Sequence, residues 1–128
     1  MVAAVDDDDN AAVVLSYAAT RAREFGVPLR AVHVWGRAGE RIPDADLLLT
    51  CLLYDCLPEA EASAAEREIL HDDPVPALAA LSREALLLVV SASSAAVTAD
   101  RPLGDTAHGL AGRTACPLVV VAPRQRRR

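Results

Sequence analysis

Residues 86–106 read LLLVVSASSAAVTADRPLGDT. The uninterrupted apolar run at 86–90 predicts a strand covered on both faces, as in a parallel sheet flanked by helices. It leads into a loop of small residues that ends at Gly104, where a helix of about 104–113 begins. Strand, small-residue loop and helix start form the layout of a phosphate-holding loop, in which backbone N–H groups and a helix N-terminus face an anion. Most of the glycines such a loop uses are absent here. Asp105 stands where a phosphate favours a neutral donor.

Working outward, the rest of the chain supplies four more strands. Residues 2–5 form a short apolar run that stops at Asp6. Helical spacing over 10–25 puts Val14, Ala18, Ala22 and Phe25 on one face, and Gly26-Val27-Pro28 ends that helix. Residues 29–35 (LRAVHVW) predict a second strand, and 36–45 a loop. Residues 46–57 predict a helix capped by Asp44 or Asp46. The polar, Ala-rich stretch 58–65 receives no element. Residues 66–70 (EREIL) are polar enough for an edge strand. Asp73 and Pro74 suit the cap and first residue of another helix, with Val75, Leu78, Ala79, Leu81 and Ala85 as its apolar stripe. Residues 117–122 (PLVVVA) form the last strand.

The resulting order predicts an α/β fold: a five-stranded, parallel, doubly wound sheet with four helices. Strands 2–5, 29–35 and 86–90 are expected at its centre. Ligands in such sheets bind at the carboxyl ends of strands, where the strand order reverses. That edge carries Asp6, Val34, Trp35 and the loop from Ser91 to Leu103. A single domain over 1–124 is expected, followed by a basic tail at 125–128 that reads as a solvated end.

Composition narrows the function classes. The chain has 128 residues, 52% hydrophobic but only 3% aromatic, so its core is built from Ala, Val and Leu. A net charge of −5 argues against a general nucleic-acid binder. No apolar segment approaches the roughly 20 residues that span a bilayer, and no secretion signal is evident, so a cytoplasmic location is expected. Cys51, Cys56 and Cys116 have no metal spacing and are expected to be reduced and mostly buried. His33, His71 and His108 are scattered; His33 suits packing within its strand and His71 a turn. No GxSxG elbow accompanies Ser91, Ser93 and Ser94. The absence of any lysine counts against a phospho-accepting receiver domain.

Several stretches together resemble the universal stress protein family. They are VAAVDDDDN (2–10), PLRAVHVW (28–35), EREILHDDPVPAL (66–78), LLLVVSASS (86–94) and CPLVVVAP (116–123). The resemblance implies an adenine-nucleotide-binding type of fold and a dimer built through the last strand, here 117–122. ATP-binding members carry Gly, two residues, Gly, nine residues, Gly, then Ser or Thr. Laid on this chain, those positions are Ser91, Ser94, Gly104 and Asp105. The spacing is kept, and only Gly104 keeps its identity. Asp6 matches the family's acidic residue near ribose or adenine, and Val34 an apolar position near the base. Asp7 and Asp8 replace the usual Gly-Ser. The run at 6–9 reads first as a helix cap with solvated neighbours, and a divalent-cation site is the alternative.

The expected function is a non-catalytic, dimeric stress-response module with an ATP-poor or ATP-free pocket, no cofactor and no catalytic residue. The alternative is a regulator that binds ATP with Mg²⁺ through Asp6, Val34, Ser91, Ser94, Gly104 and Asp105. An unidentified protein partner is compatible with either.

Overall fold

The computed structural model describes residues 1–5, 11–35, 45–71, 74–91 and 105–121. Five strands form one parallel sheet: β1 (Val2–Ala4), β2 (Arg30–Trp35), β3 (Glu66–His71), β4 (Leu88–Ser91) and β5 (Leu118–Val121). Their order is β3-β2-β1-β4-β5. β1 is therefore central, flanked by β2 and β4, as the apolar runs require. β3 occupies one edge, as its polarity requires.

Alternation along the strands divides the interior into two cores. Ala3, Val5, Ala31 and Val89 point to one face, where they meet α1 (Ala11–Phe25), α2 (Ala45–Cys56) and α3 (Glu59–Ala64). Val2, Val32, Leu88 and Val90 point to the other, against α4 (Pro74–Leu81) and α5 (Asp105–Leu110). Consecutive residues Val2 and Ala3 of β1, Ala31 and Val32 of β2, and Leu88, Val89 and Val90 of β4 are all buried, so the middle of each strand is covered on both faces. α1 buries Val14, Leu15, Ala18, Ala19 and Ala22. Its many alanines let the helix lie close to the sheet.

The ends of the elements follow local chemistry. Gly26 has φ +66°, Val27 N–H donates to Ala22 O at 3.0 Å, and Gly26 N–H donates to Arg23 O at 3.3 Å. These bonds make the glycine-dependent helix stop anticipated from Gly26-Val27-Pro28. The edge strand β3 exposes Glu66 and Arg67. Arg30 Nε lies 3.1 Å from Glu66, and Arg67 Nε lies 2.9 Å from Asp46 of α2. A charged rim of this kind discourages pairing with another strand. The buried Ser82 hydroxyl donates to Ala79 O at 2.6 Å and accepts from Ala115 N–H at 2.9 Å. It thereby ties the 3₁₀ turn Ser82–Glu84 to the segment entering β5.

Three sequence expectations need correction. There are five α-helices among the described residues, not four, because α3 lies within the stretch given no element. α3 has only six residues and buries just Ala62, too short a helix to show a repeat. Phe25 leaves the core face of α1 and is 53% exposed, with the Arg21 guanidinium 5.3 Å from its ring centre. The chain reverses at Gly26, and Ala22 is the last residue of α1 in the core. The thiols are free but not mostly buried: Cys51 is exposed, and Cys56 and Cys116 are half-buried.

Candidate functional site

Strand order reverses between β1 and β4. α1 and α2 lie on one face of the sheet and α4 and α5 on the other, so the chain leaves β1 and β4 in different directions. A crevice forms at the carboxyl ends of strands at such a point. The register shows which residues border it. Ala3 pairs with Ala31 of β2 and with Val89 of β4, so Val5, His33 and Ser91 stand at one level. Val34 and Trp35 extend β2 beyond that level.

The structure brings two of the expected residues to this edge. Ser91 is the last residue of β4, half-buried, and its other neighbour is Val121 of β5. Val34 is half-buried and packs against the core formed with α4 and α5. Asp105 is the first residue of α5, the helix that follows the loop. Asp6, Ser94 and Gly104 lie outside the described residues, as do Asp7, Asp8 and Asp9 and most of the loop after Ser91. His108 is exposed on α5.

One bordering contact is not legible in the sequence. His33 is 4% exposed, and its Nδ1 lies 2.8 Å from the Val5 carbonyl. A carbonyl only accepts, so Nδ1 carries the proton in this contact. Val5 N–H in turn donates to Val32 O at 2.8 Å. The end of β1, just before the acidic run, is thus held to β2 by backbone and side chain together. The sequence places His33 in a strand, but only strand register identifies Val5 as its partner.

The thiols away from this edge differ in exposure. Partial burial raises the Cys56 thiol above its ordinary pKa, and the Asp55 carboxylate adds to the shift. Partial burial also raises Cys116, outweighing its backbone hydrogen bonds. Exposed Cys51 is therefore expected to be alkylated first by iodoacetamide at pH 8, as read by peptide mass spectrometry. Because the folded chain holds the Cys56 and Cys116 protons more tightly, the unfolded chain ionises first. Stability is expected to fall as pH rises above about 8.5. Equal alkylation of all three thiols would contradict this order.

A parallel sheet whose strand order reverses between β1 and β4, with helices on both faces, defines a doubly wound α/β protein. The family model described as the universal stress protein family matches residues 1–122, and the chain belongs to that family. No curated protein matches the sequence. Among solved structures, a universal stress protein in complex with cAMP is 23% identical, with a TM-score of 0.69 and 94% of each chain covered. A universal stress protein from Archaeoglobus fulgidus is 23% identical with a TM-score of 0.70, covering 93% of this chain and 90% of its own. Another from that organism, in complex with dAMP, is 23% identical with a TM-score of 0.64, covering 93% and 94%. At these identities the likeness concerns the fold. Among the described residues, no helix is long and apolar enough to cross a membrane.

Proposed function

We propose that this protein is a non-catalytic, dimeric stress-response module whose crevice holds ATP poorly or not at all. The observation that carries the reading is Ser91. It ends β4 level with Val5 across the reversal point, and the resemblance in sequence assigns it to the position of the signature's first glycine. A side chain there limits how closely backbone can approach a phosphate. Asp105 supports the reading, because it starts α5 with a carboxylate where the signature has Ser or Thr. A carboxylate close to a phosphate costs about 1–4 kcal/mol per charge pair at surface-like dielectrics.

The dimer part of the proposal rests on β5. Its four residues, Leu118–Val121, are all apolar and half-buried, and β4 is its strand neighbour in the sheet. Among the described residues this edge carries none of the charges that guard β3, and pairing with a second copy would cover it. Sedimentation at micromolar concentration is expected to give a dimer.

The second reading is an adenine-nucleotide-binding regulator that uses Asp6, Val34, Ser91, Ser94, Gly104 and Asp105. The cAMP and dAMP complexes of the similar folds favour it, as does the kept spacing of the signature. A thermal shift of nucleotide-free protein separates the two. Millimolar ATP, with or without Mg²⁺, is expected to leave Tm unchanged. A ligand at 100 times its Kd adds about 2.7 kcal/mol, so a rise of several degrees would replace the first reading by the second.

A further inference from the structure

A cavity of about 370 Å³ opens at the opposite, amino edge of the sheet, between the last turn of α1 and α3. Its volume lies at the lower end of the range used by small-molecule sites. Ala22, Val27 and Ala64 give it an apolar wall, Gly26 lies at its border, and Arg23 and Glu61 are its charged residues. We propose that this cavity binds a small amphipathic amine, with the ammonium on Glu61 and a short hydrocarbon chain against Ala22, Val27 and Ala64.

The charge of the ligand follows from the asymmetry of the ion pair. Arg23 Nε lies 3.1 Å from Glu61 Oε1, but the Glu61 side chain is 29% exposed and that of Arg23 is 59% exposed. Glu61 is the more enclosed group, and Arg23 reaches it from solvent. Such exposed pairs contribute little to stability, so Arg23 is readily displaced. An incoming ammonium replaces one charged donor by another, and the carboxylate is never left without a partner. The carboxyl end of α1 borders the same cavity at Ala22, Arg23 and Gly26, and the helix dipole there also favours a cation. Nearby Arg21 and Glu24 pair with each other at 2.9 Å and add no net charge. Among the described residues that line the cavity, an anion would find only Arg23, already held by Glu61.

The apolar wall sets the rest of the ligand. Ala19, Ala22 and Ala65 are buried, and the cavity beside them has room for a chain of a few methylenes. Each methylene removed from water favours binding, and the small side chains leave that room open.

The test is a titration of the full chain with n-hexylammonium, hexanoate and 1-hexanol, followed by calorimetry and by amide NMR. Hexylammonium is expected to bind and to shift the amides of Ala22, Val27 and Ala64. Hexanoate and hexanol are expected to bind about fivefold more weakly. Glu61→Gln is expected to weaken hexylammonium binding about fivefold, whereas Arg23→Ala tightens it about threefold by removing the competitor. Circular dichroism checks that both surface variants keep their fold. The proposal is overturned if hexylammonium does not bind, if hexanol or hexanoate binds as well, or if the shifted amides lie elsewhere. An unchanged affinity in Glu61→Gln, or a weaker one in Arg23→Ala, overturns it too. The probes carry no phosphate or base, so the outcome is independent of the nucleotide reading.

Discussion

Leu53→Ala is expected to lower the stability of the protein by about 3 kcal/mol. Leu53 is fully buried, as is Leu49 one turn earlier on α2. Both belong to the core shared with α1 and the sheet. Truncation removes the transfer energy of the lost carbons and leaves a cavity that stiff neighbours fill only in part. The core to which Leu53 belongs contains eight alanines, whose short side chains cannot reach into the gap. About 3 kcal/mol is a large fraction of the roughly 5–15 kcal/mol that stabilises a domain of this size. It corresponds to a fall in Tm of about 10 °C, read by calorimetry. A fall of less than about 3 °C would mean that α2 is not packed as described. Leu47→Ala on the same helix is the control: Leu47 is 59% exposed, and little change is expected.

Gly109→Ala is expected to destabilise by about 1–2 kcal/mol, although alanine is the better helix former. Gly109 lies in α5, where α4 packs against it. A Cβ built there would stand 2.7 Å from one γ-methyl of Val75 and 3.5 Å from the other. Valine is β-branched and held to one rotamer in a helix, so it cannot swing aside cheaply. The overpacking therefore outweighs the gain of about 1 kcal/mol in helix propensity. Val75→Ala alone loses packing, since Val75 is part of the same apolar cluster. Together the two substitutions are expected to cost less than their sum by about 1 kcal/mol, because the new methyl enters the space the valine leaves. Additive costs in denaturant unfolding would show that Val75 is not the obstacle.

The sequence made the architecture legible where periodicity is strong and local. The runs at 86–90 and 29–35 marked central strands, EREIL marked an edge, and Gly26-Val27-Pro28 marked the end of α1; β4 starts two residues later than expected, at Leu88, with Leu86 56% exposed before it, and the others stand where expected. Legibility failed where the signal was too short or depended on a distant neighbour. α3 offers one buried residue in six, below the length at which a helical repeat shows. Phe25 continues the apolar stripe of α1 by spacing, yet the core ends before it. Of the candidate nucleotide residues, the described structure places Val34 and Ser91 at the reversal edge and Asp105 at the start of α5.

The sequence by itself determined the class of fold, because alternating helical and apolar strand segments leave a covered parallel sheet as the natural way to bury both faces of the strands. It also determined the altered signature, since the identities at 91, 94, 104 and 105 are properties of the chain alone. Only the tertiary structure decided which residues meet. It set His33 Nδ1 against the Val5 carbonyl 28 positions away. It left Gly109 no room beside Val75 and joined Arg23 to Glu61 in the lining of a cavity. Such contacts depend on strand register and helix packing, which sum over many weak interactions across the chain. No local pattern of residues encodes them.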